Sequence, residues 1–105
     1  MTEQLENISL KLKATVYFDG GVVSHALTMK DGSRKTVGVI RPGEYHFNTD
    51  APERMDILAG ACRVKLADEK VWTPYRGGQG FDVPGKSSFD ITVDSDLAEY
   101  LCGYH

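Results

Sequence analysis

The chain has 105 residues, 41% of them hydrophobic, with a formal charge of -3 and a pI near 5.5. That length holds one domain with a modest core, and in so short a chain dimerisation is a common way to bury more apolar surface. There is no basic run to neutralise nucleic-acid phosphates, and no apolar stretch near the roughly 20 residues of a membrane span.

Residues 1–11 read as an N-terminal extension, loose or briefly helical, and residues 12–105 as the folded domain. The polar, acidic start (MTEQLENISL) is unlike a secretory leader. Cys62 and Cys102 are too few for a disulfide framework and read as two buried thiols, with a single bridge as the alternative. The expectation is a cytoplasmic protein without nucleic-acid or membrane partners.

The dominant period along the chain is two. In Leu10–Val16 the residues Leu10, Leu12, Ala14 and Val16 share one face, which predicts a half-buried strand. Turn signals follow at Asp19-Gly20-Gly21, Lys30 to Ser33, Arg41-Pro42-Gly43 and Asn48 to Pro52. Cys62, Val64 and Leu66 alternate with Arg63 and Lys65, and Phe89, Ile91 and Val93 alternate with Ser88, Asp90, Thr92 and Asp94. At the end of the chain Tyr100, Cys102 and Tyr104 share a face. Short alternating strands with frequent tight turns and no sustained helical period predict an all-β antiparallel sandwich or barrel.

Two segments carry more. The first is Gly43 to Gly60, with His46-x-Asn48-x4-Glu53-x6-Gly60; the second runs from Gly78 through Pro84 to Phe89. They resemble the two signature segments of a cupin, which implies a single-domain jelly-roll barrel. A metal-binding cupin has three His and one Glu in these segments. Here Asn48 and Phe89 stand at two of the His positions, so His46 and Glu53 are left, fewer than the three or four donors a transition metal needs. No metal and no cofactor are expected. By the same resemblance His46 and Asn48 point into the barrel, opposite Tyr45 and Phe47. The other reading makes His46 a polar rim residue or a partner of Glu53, and Glu53 an anchor for the turn at residues 50–52.

A longer series of motifs is more specific: Tyr17-Phe18-Asp19-Gly20, Asp31-Gly32, Lys35-Thr36-Val37-Gly38-Val39, Pro42-Gly43-Glu44-Tyr45, Pro52-Glu53-Arg54-Met55, Phe81-Asp82-Val83-Pro84-Gly85 and Tyr100-Leu101-Cys102. In that order, from about Leu12 onward, the chain resembles the small bacterial cupins called pyrimidine/purine nucleoside phosphorylases. The resemblance implies a pentosyltransferase that takes nucleoside and inorganic phosphate to free base and ribose 1-phosphate, needs no covalent nucleophile, and works as a homodimer. Such chemistry needs an anion site, a donor for the leaving base and groups that orient the ribose hydroxyls. His46 and Glu53 are the catalytic candidates; Arg41, Asn48, Lys86, Ser87, Phe89 and Tyr100 are the substrate-binding candidates. The Pro84–Ser88 turn is either an anion cradle of amides, hydroxyls and an ammonium or an ordinary connection with a solvated lysine. Two alternatives remain open at this stage: a metal-binding small-molecule cupin enzyme or sensor, and a non-catalytic nucleoside-binding module.

Overall fold

The computed structural model describes residues 4–104. The expected looseness or helix at the extreme N-terminus falls partly on residues 1–3, outside the described range. Eleven strands follow in chain order: β1 (Ser9–Leu10), β2 (Thr15–Tyr17), β3 (Val22–Thr28), β4 (Arg34–Ile40), β5 (Gly43–Asn48), β6 (Glu53–Ala59), β7 (Ala61–Leu66), β8 (Thr73–Arg76), β9 (Gly80–Val83), β10 (Ser88–Val93) and β11 (Ala98–Tyr104). Among the described residues the one helical piece is a 3-10 turn at Phe18–Gly20. Among the described residues no helix is long and apolar enough to cross a membrane.

The strands form two antiparallel sheets. The larger runs β1-β3-β4-β11-β6-β9, with β2 also paired to β3, and the smaller runs β5-β10-β7-β8. Every strand sends alternate residues to one side. The inward sets of both sheets meet in one core that includes Ile40, Ile57, Val64, Ile91, Val93 and Ala98, all 2% exposed or less. This is the cupin jelly roll, two facing sheets rather than one closed barrel. The alternations at Cys62-Val64 and Phe89-Ile91-Val93 lie as the sequence predicts, and both cysteines are free and buried.

The predicted strand over Leu10–Val16 is corrected. β1 pairs Leu10 with Leu27 and β2 pairs Thr15 with Ser24, so four residues (11–14) face only two (25 and 26) of β3. That excess bulges the edge strand and breaks the alternation. Leu12 is 86% exposed, and Leu10, Val16, Tyr17 and Phe18 are also open to solvent. Ser9 and Leu10, expected to belong to the extension, are the first paired residues of the larger sheet.

Gly60 alone separates β6 from β7 and so carries the chain from the larger sheet to the smaller. On the outer face of the smaller sheet Arg63 and Lys65 lie 5.6 and 5.5 Å from the ring centre of Trp72. Arg63 also holds Asp94 through two hydrogen bonds, at 3.2 and 2.9 Å.

Candidate active site

A cavity of about 250 Å³ lies between the sheets and takes its walls from both. It sits just below the range of about 300–1,000 Å³ usual for small-molecule sites. Inward positions of four strands of the larger sheet supply its polar wall: Ser24 from β3, Thr36 from β4, Glu53 from β6, and Tyr100, Cys102 and Tyr104 from β11. Phe47 and Phe89 supply an apolar wall from the smaller sheet, their rings stacked at 5.5 Å between centres and 23° between planes.

Glu53 is the one carboxylate in this wall. The Cys102 thiol donates to its Oε1 at 3.5 Å. Burial raises the Glu53 carboxyl above its ordinary value, and the thiol contact offsets part of that. Burial pushes the Tyr100 phenol up to about 12 and the Cys102 thiol up to about 12. Both therefore stay protonated as donors. The Thr36 and Tyr104 hydroxyls lie 3.3 Å apart. The cavity thus presents hydroxyl donors around a single carboxylate acceptor, beside aromatic surface. That combination suits a polyhydroxylated ligand with a flat ring, the carboxylate accepting from its hydroxyls and the ring lying on Phe47.

The structure gathers Glu53, Asn48, Phe89 and Tyr100 at this cavity. The other candidates lie elsewhere. His46 does not point inward: Tyr45 is buried and Phe47 packs on the core, so the intervening His46 faces out. There its Nδ1 lies 2.8 Å from the Asp90 carboxylate. The reason is parity, because adjacent strand residues point to opposite faces. The inward set is Tyr45, Phe47 and then buried Thr49, so Asn48, also expected to point inward, has the outward parity of His46 and only borders the cavity at the exposed end of β5.

Arg41 has an exposed side chain, and its backbone is committed: its N–H donates to the Gly21 carbonyl at 2.8 Å and its own carbonyl accepts from the Tyr45 hydroxyl at 3.0 Å. Lys86 is exposed on the turn after Pro84, with φ 50°. Two amides of that turn are already engaged. Lys86 N–H donates to the Asp50 carbonyl at 3.0 Å and Ser87 N–H to Thr49 Oγ1 at 3.0 Å, while Thr49 Oγ1 donates to the Pro84 carbonyl at 2.6 Å. The turn latches the two signature segments together, and its Lys86 and Ser87 amides are committed to that latch.

Sequence reasoning did not single out Ser24, Thr36 or Tyr104 as site residues. Only the shared face of Tyr104 with Tyr100 and Cys102 was readable, and the convergence of all three depends on which strands become neighbours. Among the described residues no three His, Cys, Asp or Glu side chains come together. The cavity itself offers Glu53 and Cys102.

The family model for pyrimidine/purine nucleoside phosphorylase matches residues 12–104. The chain belongs to this family. A relative from Cupriavidus metallidurans, named pyrimidine/purine nucleoside phosphorylase, is 54% identical over 101 residues, covering 96% of this chain and 97% of that protein. A solved structure from Acinetobacter sp. ADP1, described as a protein of unknown function, is 41% identical with a TM-score of 0.94, covering 97% of this chain and 98% of that one. Oxalate decarboxylase from Bacillus subtilis matches with a TM-score of 0.74, over 99% of this chain and 30% of that one. At 16% identity that likeness shows the jelly-roll fold alone. Within the pyrimidine/purine nucleoside phosphorylase family, the cavity between the sheets is the candidate site in this chain.

Proposed function

We propose that this protein is a metal-independent pentosyltransferase that converts nucleoside and inorganic phosphate to free base and α-D-ribose 1-phosphate. The observation that carries this reading is Glu53, a partly buried carboxylate set among protonated hydroxyls and beside the Phe47–Phe89 stack. A phosphate oxygen attacks C1′ and the C1′–N bond breaks, its electron pair leaving with the base. The base takes up the proton that hydrogenphosphate brings. Positive charge develops on the sugar as the bond breaks, and a fixed carboxylate holding the ribose hydroxyls stabilises it. Aromatic stacking accepts any base face, which fits action on both purine and pyrimidine nucleosides.

The test is release of free base from uridine, inosine and adenosine with and without phosphate, in buffer containing a chelator. Phosphate-dependent release that survives the chelator is the expected outcome. Binding of nucleoside without turnover, by folded protein, would favour a binding module instead. Chelator-sensitive release would favour a metal enzyme.

The proposed working form is a homodimer in the cytoplasm. Leu12, Val16, Tyr17 and Phe18 are exposed together along the bulged edge of the larger sheet, and Tyr17 also borders the cavity. A second copy would cover this apolar edge. Light scattering is expected to give twice the monomer mass, and Val16→Glu with Phe18→Glu is expected to shift it to the monomer. A wild-type monomer at micromolar concentration would overturn the dimer. The two free, buried thiols fit a reducing compartment.

A further inference from the structure

We infer that phosphate binds outside the sugar cavity, in the adjoining groove, with Arg34 as its principal ligand. The inference rests on the phosphorolytic reading above. It begins from a gap in the cavity itself, whose lining includes no lysine or arginine. Phosphate is a dianion or monoanion at neutral pH and calls for guanidinium, ammonium or convergent N–H donors. Several basic residues are committed elsewhere. Arg54 sits between Asp56 and Asp82, each at 3.2 Å, and Arg63 holds Asp94 at 2.9 Å.

A second groove runs over β1, β3 and β4 and ends on Thr36 and Tyr104, the same two residues that wall the cavity. Arg34, Lys35 and Lys11 all line it. Among the described residues none of the three forms an ion pair.

Strand register puts Arg34 on the correct side of the sheet. Thr28 pairs with Arg34 and Tyr104 pairs with Glu53. Gly103 pairs with Lys35, so Tyr104 continues the ladder beside Arg34. Thr28, Arg34, Tyr104 and Glu53 therefore form one row across the sheet, on the face that carries Thr36 and Cys102. Arg34 and Glu53 are two strands apart, about 10 Å between backbones at the usual strand spacing. Their long side chains can reach toward each other from either side of Tyr104. An anion at Arg34 and ribose hydroxyls at Glu53 are then neighbours over the Tyr104 hydroxyl, as attack on C1′ requires. Lys35 borders the same groove but has the opposite parity: a side chain at Gly103 would meet its Nζ at 3.1 Å, so its ammonium turns to the outer face while Arg34 shares the face of Thr36 and Tyr104.

The test compares wild type, Arg34→Met and Arg34→Lys in two measurements. Calorimetric titration with inorganic phosphate alone is expected to show binding to wild type, at least tenfold weaker binding to Arg34→Met, and partial recovery in Arg34→Lys. In base release, Arg34→Met is expected to raise KM for phosphate at least tenfold and to leave KM for the nucleoside within about twofold. Circular dichroism confirms the fold of each variant, and Lys11→Met, expected to weaken phosphate binding less, is the second probe of the groove. Equal phosphate affinity in wild type and Arg34→Met, or no phosphate binding by wild type, overturns this inference. Failure of the phosphorolytic reading looks different, because wild type would bind phosphate through Arg34 and yet release no base.

Discussion

Replacing Glu53 by glutamine is expected to cut kcat/KM for phosphorolysis about 100- to 1,000-fold, the scale seen when a preorganised electrostatic group is removed from an active site. Glutamine keeps the shape and can still accept from the Cys102 thiol, but it lacks the charge that stabilises a cationic sugar. The fold should not suffer. Burial raises the Glu53 carboxyl, so the folded protein holds its proton more tightly than the unfolded chain does. That preference favours the fold fully at acid pH, below the unfolded-state value, and is lost as pH rises through the folded-state value. At pH 7 the ionised group works against folding. Glu53→Gln is therefore expected to melt at the same temperature as wild type or higher at pH 7, with the difference vanishing toward about pH 4. His46→Ala, which alters the outer face, is expected to change kcat/KM by less than about threefold, since groups away from the reacting atoms contribute little differential binding. Retention of full activity by Glu53→Gln would remove Glu53 from the mechanism.

Gly60→Ala is expected to be the most damaging single-methyl change for stability. Gly60 has φ +81°, and a Cβ there would strike the Leu97 carbonyl oxygen and lie 3.0 Å from the Ala98 Cα. Both obstacles are backbone, so no side chain can swing aside. The backbone conformation alone costs a non-glycine residue about 1–2 kcal/mol. With the clash, the total is expected to reach at least about 3 kcal/mol, within the range of severe single substitutions. For a domain of this size that corresponds to a fall in Tm of at least about 12 °C. Gly32→Ala supplies the comparison. Its φ is +89° but nothing lies within 4 Å of the added Cβ, so the conformational cost stands alone. Thermal melts of the two variants separate the contributions, and equal losses would show that the Leu97 contact yields easily.

Much of the fold was legible because apolar and polar residues alternate where strands are half-buried. Cys62-Val64 and Phe89-Ile91-Val93 reach the core for that reason. The edge at Leu10 to Val16 carries the same alternation but meets a bulge, whose two extra residues are visible only once the strand has a partner. At β5 two signals conflict. Ligand spacing places His46 inward, whereas the apolar parity of Tyr45 and Phe47 places it outward, and a one-residue slip turns every side chain over. Apolar parity wins because burying two aromatic rings outweighs burying one imidazole. That Glu53 and Phe89 border the cavity was legible from motif position, whereas Asn48 was read inward by the same spacing that misplaced His46. Arg34, Thr36 and Tyr104 come together only through pairing among β3, β4, β11 and β6, which local pattern does not encode.

Trp72 is the chain's single tryptophan, and it lies over Arg63 and Lys65 on the outside of the smaller sheet. Its indole emission therefore reports unfolding of that surface and is remote from ligand entry between the sheets. A silent fluorescence titration says nothing against nucleoside binding in this protein, and an optical reporter of occupancy has to be built in nearer the Phe47 ring.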